Sequence, residues 1–191
     1  DKGEESRRAV NMGLMESSNL LLAQEILFKK GELDKAFSLS MVLEDLFDKA
    51  GLWQSRIKAT QLALEIAKKS ENKENMVNAY DRLGLAYREI GQVNEALEHH
   101  KKALEIAKDA GYKAGEARSL GNIGLVLRGL GKVEEALKSH QDALKIHREI
   151  GNRLGEANQL GNIGLVLTGL GKVEESFICL LGAARLFHEI K

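Results

Sequence analysis

Hydrophobic residues recur along the chain at intervals of three and four, which is the spacing of one face of an α-helix. One such stripe lies in residues 116–130 and a second in residues 134–148, and Gly131 separates them. The two stripes consist of Leu120, Ile123, Leu127 and Leu130, then Ala136, Leu137, Ala143, Leu144 and Ile146. The alternating pattern of a half-buried strand does not occur. The pattern therefore predicts pairs of helices and no strands.

The two-helix pattern repeats with a period of 40 residues. GNIGLVL occurs at 121–127 and again at 161–167, and GLGKVEE occurs at 129–135 and again at 169–175. Residues 111–150 and 151–190 are identical at about 22 of 40 positions. A helix pair cannot bury its apolar face alone, but stacked pairs bury it against each other. We therefore expect one elongated domain over residues 1–191, an all-α solenoid of antiparallel helix pairs with about nine helices.

Composition restricts the classes of function. Lys plus Arg and Asp plus Glu are both 28, so the formal net charge is zero, which argues against a nucleic-acid-binding surface. No apolar run approaches the roughly 20 residues that a membrane helix needs. The start of the chain is charged, and the single cysteine, Cys179, has no partner for an internal disulfide. We expect a cytoplasmic protein that binds neither nucleic acid nor membranes.

The pattern of large and small residues resembles the tetratricopeptide repeat. That family places small residues at positions 8, 20 and 27 of a helix pair and glycine at 15. One copy here has Gly124, Gly131, Ala136 and Ala143 at these positions. The resemblance implies a right-handed superhelix and covers about residues 36–190. The period of 40 is similar to that of a subclass seen in cell-polarity scaffolds, kinesin light chains and bacterial signalling proteins. HEAT and armadillo repeats have a similar period, but their small-residue positions fit less well.

The resemblance divides the chain into repeats at 76–115, 116–155 and 156–191, preceded by a degenerate repeat at 36–75. In the degenerate copy, Glu44 and Arg56 stand where the family has small residues. Residues 1–35 have two interpretations. They fit the second helix of a partial repeat, because residues 23–26 lie 40 before Ala63–Ile66, and they also fit a first helix. We favour the partial repeat, because it keeps one register along the chain.

In the resembled family, the inner face of the first helices forms a concave groove that binds peptides. Carried over position by position, this face predicts a groove lined by Asn78, Asp81, Arg82, Leu85, Arg88, Arg118, Gly121, Asn122, Leu125, Arg128, Asn158, Gly161, Asn162, Leu165 and Thr168. Arginine and asparagine bind carboxylates and extended backbone, so an acidic or apolar peptide is the expected partner. The alternative is that the leucines pack on the neighbouring repeat and the glycines serve close helix contact. A family asparagine that clamps carboxylates is replaced by leucine at position 9, which argues against binding of a free C-terminal carboxylate.

The last predicted helix, residues 174–190, is apolar nearly all round. Solenoids usually end in a helix with a polar outer face. We expect contact with a second copy of the chain or with a further element, through Phe177, Ile178, Leu181 and Phe187. The alternative is local repacking of a terminal helix.

Signatures of catalysis and of metal or cofactor binding do not occur in the sequence. His100 and His140 lie 40 apart on second helices and are expected to be packing residues, and Cys179 lies in an apolar stretch. The leading hypothesis is a non-catalytic scaffold that binds a peptide or helix of another protein. Two alternatives are a self-associating assembly module and the sensor or adaptor portion of a larger signalling enzyme.

Overall fold

The computed structural model describes the backbone of residues 2–190 and the side chains of residues 16–190. This part of the chain contains nine α-helices and no strand, which confirms the prediction of an all-α solenoid. The helices are α1 (Lys2–Lys29), α2 (Leu33–Lys49), α3 (Trp53–Lys69), α4 (Lys73–Glu89), α5 (Val93–Asp109), α6 (Lys113–Gly129), α7 (Val133–Glu149), α8 (Arg153–Gly169) and α9 (Val173–Glu189).

Short turns of one geometry join successive helices. A glycine with φ between 66° and 79° occupies each turn except the one between α3 and α4. In that turn Glu71 has a φ of 52°, a left-handed conformation that costs a non-glycine residue roughly 1–2 kcal/mol. The turn after α4 is typical: Gly91 N donates to Arg88 O at 3.0 Å and Gln92 N donates to Tyr87 O at 2.9 Å. These bonds satisfy carbonyls that the helix end leaves unpaired.

Alanines allow the helices of the stack to approach each other closely. Ala136 is fully buried on α7, where Ile123 and Leu127 of α6 and Val166 of α8 surround it. Ala143 is also fully buried. Helices α3, α5 and α7 are therefore each packed between the first helix of their own pair and that of the next pair, as the small residues predicted.

Helix α1, at the start of the chain, packs against both α2 and α3. The Gln24 side chain, which is fully buried, donates to Ser40 Oγ of α2 and to the Ala59 carbonyl of α3, the latter at 3.0 Å. The Lys69 ammonium of α3 lies 5.0 Å from the centre of the Phe28 ring. These contacts join α1 to the stack, while its correspondence to one half of a repeat stays a prediction.

Glycines inside the first helices make room for large side chains of the second helices. A Cβ atom added to Gly84 would lie 2.6 Å from the His100 ring, and one added to Gly124 would lie 2.6 Å from the His140 ring. In the last pair, Leu180 takes the place of the histidine and approaches Gly164. A contact between a large side chain and glycine thus recurs every 40 residues in the last three pairs and limits how closely the helices of a pair approach.

Two helix-interior glycines test this contact. Gly124→Ala is expected to destabilise the chain by roughly 1–3 kcal/mol, because the new methyl group overpacks the His140 ring. Gly161→Ala is the matched control, since no atom lies within 4 Å of its added Cβ, and we expect a gain of up to about 1 kcal/mol from helix propensity. Urea unfolding of both variants measures the difference. Equal stability of the two variants would show that the close packing at Gly124 is wrong.

Candidate functional site

The helices α2, α4, α6 and α8 form one face of the stack, which we call the groove. Two cavities lie along it. The charged cavity, of about 530 Å³, lies between α2, α4 and α6, and the amide cavity, of about 490 Å³, lies between α6 and α8. Arg118 and Asn122 line both cavities. The groove is therefore one continuous surface with two chemically different halves.

The charged cavity is lined by a network of ion-paired side chains from α2, α3 and α4. Arg56 Nη2 lies 3.0 Å from Glu44 Oε1, and the Arg56 guanidinium also bonds Asp48. Arg82 bonds the other oxygen of Glu44 and lies 3.5 Å from Asp45 Oδ1. Glu44 and Arg56 are buried. The charges of this half are thus largely compensated within the chain itself.

Asp81 is a buried acceptor and does not face the groove as a free carboxylate. It is 2% exposed, and it accepts hydrogen bonds from His100 Nδ1, Arg118 Nε and Ser119 Oγ, each at 2.9 Å. Arg118 also donates to Asn78 Oδ1 at 2.6 Å. Arg118 therefore holds α4 and α6 together.

The amide cavity has a different chemistry, because the residue that corresponds to Asp81 is Gly121. The Gln159 side chain fills the space beside Gly121, where an added Cβ would lie 2.7 Å from Gln159 Nε2. His140 Nδ1 donates to Gln159 Oε1 at 2.9 Å, so Gln159 replaces the carboxylate. Asn122, Asn158 and Asn162 line the same cavity.

The side-chain amides of Asn122, Asn158 and Asn162 have no hydrogen-bond partner among residues 16–190. Each amide supplies two donors and an acceptor. The amide cavity therefore presents unused hydrogen-bonding groups, whereas the polar groups of the charged cavity are mostly bonded to each other.

The leucines of the predicted groove form a row along it. Leu85 lines the charged cavity and Leu125 lines the amide cavity, and both are half-buried. Leu165, on α8, is 53% exposed. Leu125 therefore lies in the wall of the groove rather than inside an inter-repeat core.

Ten of the fifteen predicted groove residues line the two cavities: Asn78, Asp81, Arg82, Leu85, Arg118, Gly121, Asn122, Leu125, Asn158 and Asn162. The other five, Arg88, Arg128, Gly161, Leu165 and Thr168, lie outside the lining of these cavities.

Three of the four predicted groove arginines already bind a carboxylate of the chain. Arg82 and Arg118 are paired as described above, and Arg88 Nη2 bonds Glu89 Oε1 at 2.9 Å. Arg128 has no ion pair with any residue of the described part. The sequence does not reveal these pairings, because the carboxylates that bind Arg82 and Arg118 belong to neighbouring helices.

Some lining residues were absent from the sequence prediction. In the charged cavity these include Glu44, Asp45 and Arg56, and in the amide cavity they include His147 and Gln159. Glu44 and Arg56 carried a signal, because both replace small residues of the repeat. Gln159 carried none, since its role depends on the space left at Gly121.

Three buried histidines each have one ring nitrogen without a hydrogen-bond partner within the described residues: His100 Nε2, His140 Nε2 and His147 Nδ1. Burial lowers the pKa of His140, although its hydrogen bond to Gln159 opposes this effect, and burial lowers the pKa of His147. The lowered pKa values favour the neutral form of the His140 and His147 rings. Burial also raises the pKa of the Cys179 thiol.

Helix α9 exposes the apolar side chains that the sequence singled out. Phe177 is 66% exposed, Ile178 70%, Leu181 60% and Phe187 40%. No helix of the described range is long and apolar enough to cross a membrane, and no group of three metal-ligating side chains occurs in the part of the chain that was described.

Comparison with known proteins identifies the repeat. The sequence model of the tetratricopeptide repeat matches residues 50–109 and 115–187, which together exceed half of the chain. The chain belongs to the tetratricopeptide repeat family. No curated protein sequence matches it.

Solved structures have the same tetratricopeptide fold. BtubC (BKLC) from P. vanneervenii is 18% identical with a TM-score of 0.69, over 98% of this chain and 87% of that chain. Aspartyl phosphate phosphatase F from Bacillus subtilis is 15% identical with a TM-score of 0.74, over 98% of this chain. The Rap conjugation gene regulator of plasmid pLS20, in complex with the Phr* peptide, is 19% identical with a TM-score of 0.69, over 93% of this chain. The chain spans 55% of the length of each of the last two proteins. At these identities the likeness is one of fold.

Glu44 and Arg56 form a buried ion pair at two positions where the tetratricopeptide pattern has small residues, and substitutions test what this pair contributes to stability. Glu44→Ala is expected to cost roughly 3–5 kcal/mol, because it leaves the buried Arg56 with only Asp48 as a partner. Glu44→Ala/Arg56→Ala is expected to recover part of this loss, since no buried charge remains unpaired. Chemical denaturation of the two single variants and the double variant gives the coupling energy. Strictly additive losses would contradict the pairing.

The buried histidines predict how stability depends on pH. The pKa values of His140 and His147 are lower in the folded chain than in the unfolded chain. Below about pH 6.5 the unfolded chain therefore binds more protons at these two residues than the folded chain does. The free energy of unfolding should therefore be greatest above pH 6.5 and fall as the pH is lowered from 7 to 5. We expect His140→Leu, which copies Leu180, to reduce this slope, measured by denaturation at several pH values. The exposed His188 gives the control, His188→Gln, and an equal effect of both substitutions would refute the assignment.

Proposed function

We propose that the chain is a non-catalytic protein-interaction scaffold that binds an extended segment of another protein along the groove. The observation that carries this proposal is the amide cavity, where Asn122, Asn158 and Asn162 present hydrogen-bonding groups with no partner in the described part of the chain. An extended peptide backbone carries one donor and one acceptor per residue and satisfies such amides. The complex of the Rap regulator with the Phr* peptide is consistent with this use of the fold.

Side-chain recognition is expected to be apolar in this half of the groove. Leu125 and Leu154 line the amide cavity beside the asparagines, and Leu154 is 53% exposed. A ligand side chain that packs between them removes apolar surface from water, at about 25 cal/mol per Å². Backbone amides and an apolar side chain together favour a largely neutral segment as the occupant of this cavity.

The charged cavity is proposed to add little affinity for an acidic ligand. Arg82 and Arg118 are bonded to Glu44 and Asp81, and a ligand carboxylate would have to compete with these partners. Displacing a buried partner leaves an unpaired charge, which is costly. Arg128 is the groove arginine without such a partner in residues 16–190, so an acidic ligand residue is expected to bind there.

A displayed peptide library tests the proposal. Peptides of random sequence are selected on the immobilised chain, and a selected peptide is measured by calorimetry. Asn122→Ala/Asn158→Ala/Asn162→Ala is expected to weaken binding by roughly 1.5–4.5 kcal/mol, since each of three lost hydrogen bonds contributes about 0.5–1.5 kcal/mol. Gln141→Ala, on the exposed side of α7, is the control and should leave the affinity unchanged.

Salt separates the two modes of recognition. Binding through amides and apolar contacts should change little between low and high salt, whereas binding through the arginines should weaken strongly. Unchanged affinity of the triple variant would refute the amide cavity as the site. A steep salt dependence that Arg128→Gln removes would instead support the arginine-based mode predicted from the sequence.

A further inference from the structure

The last helix, α9, has one exposed apolar face whose position the repeat explains. Its residues correspond, at the offset of 40, to residues of α7 that are buried or half-buried. His140, Leu144 and His147 are at most 8% exposed, because α8 follows α7 in the stack. The corresponding residues of α9, which are Leu180, Ala184 and Phe187, are exposed. We call these three residues, together with Val173 and Phe177 on the same face, the seam.

The spacing of the seam is that of a coiled-coil interface. Its residues follow each other at intervals of four, three, four and three, which places them in one line along the helix. Two of them are phenylalanines, at 66% and 40% exposure. A line of large apolar side chains is the feature that a helix presents to a second helix.

Leu181 distinguishes between two possible occupants of the seam. It lies beside the seam, is 60% exposed, and corresponds to Gln141 of α7. Gln141 stays exposed although α8 packs on α7. A helix stacked on α9 as α8 is stacked on α7 would therefore leave Leu181 in water. A different packing geometry is needed to bury both the seam and Leu181.

We propose that two copies of the chain associate through α9, with the two helices antiparallel about a two-fold axis near Gly182. This arrangement sets Leu180 opposite Ala184 of the second copy, so a large residue meets a small one. It sets Phe177 opposite Phe187 of the second copy, and aromatic pairs add about 0.5–1.5 kcal/mol beyond their burial. The two copies of Leu181 meet close to the axis, which removes both from water.

Polar complementarity supports the antiparallel direction, because an imidazole N–H donates to a carboxylate oxygen. Glu174 lies on the same side of α9 as Leu181, in the first turn, and His188 lies on that side in the last turn. The antiparallel pair brings Glu174 of each copy close to His188 of the other. A parallel pair would instead place like residues together, and two Glu174 carboxylates would repel each other. A two-fold contact of this kind is closed, so it gives a dimer and not a filament.

Sedimentation of the 191-residue chain tests self-association. The wild-type chain is expected to show a concentration-dependent equilibrium between monomer and dimer. Phe177→Gln/Phe187→Gln should weaken dimerisation at least tenfold, while Ile178→Gln should leave it unchanged, because Ile178 is as exposed as Phe177 but lies outside the seam. Circular dichroism should give the same helical content for all three chains.

Cross-linking tests the direction of the pair, in a Cys179→Ser background. Leu181→Cys should give a covalent dimer with a short bismaleimide, because the two thiols lie near the axis. His188→Cys alone should not, since its two copies lie roughly 18 Å apart along the helices at a rise of 1.5 Å per residue. A mixture of Glu174→Cys and His188→Cys chains should cross-link to each other.

Three results would overturn the proposal. A wild-type chain that stays monomeric at high concentration would refute self-association and leave a helix of another protein, or a further element of the same protein, as the occupant. Dimers that lose affinity in Ile178→Gln but not in the seam variant would place the contact on the other face of α9. Efficient cross-linking of His188→Cys to itself would establish a parallel pair.

Discussion

The contact of a large side chain on a second helix with a glycine on its first helix sets the spacing within the last three helix pairs, α4–α5, α6–α7 and α8–α9. His100 on Gly84 and His140 on Gly124 leave no room for a Cβ atom. Protein interiors are packed as densely as organic crystals, so a helix pair held at this distance has little freedom to slide or rotate. The faces of the first helices that point away from the contact are then fixed as well, and these faces form the groove.

The chemistry of the groove follows from which residue accepts the hydrogen bond of Nδ1 in each of these two histidines. His100 is bonded to Asp81, and a buried carboxylate requires compensation, which Arg118 of the next first helix supplies. His140 is bonded to the neutral Gln159 instead, which needs no arginine to compensate a charge. Two differences between equivalent positions, Gly121 for Asp81 and Gln159 for Ser119, thus separate a self-compensated charged half from a neutral half with unused amides.

Sequence alone predicts those features of the fold that depend on local pattern. The spacing of Leu120, Ile123 and Leu127 predicts α6, and the burial of Ala136 and Ala143 follows from their small size at fixed repeat positions. The pairing of charges does not follow in this way. Which carboxylate lies beside Arg82 depends on the angle between α2 and α4, and this angle is a property of packing across 38 residues of chain rather than of local sequence.

The candidate groove was therefore predicted in its location more fully than in its chemistry. Repeat positions place Asn122, Asn158 and Leu125 on the inner face, because a helix face depends only on residue spacing. The bond from Arg118 to the buried Asp81 could not be predicted in this way, since the sequence gives no distance between the two residues. A similar dependence on neighbours operates along the leucine row, where Leu85 and Leu125 are half-buried and Leu165 is exposed. In a stack whose units contact only their neighbours, equivalent residues acquire different environments according to what packs beside them, and this is why α9 exposes an apolar face whose equivalent on α7 is buried.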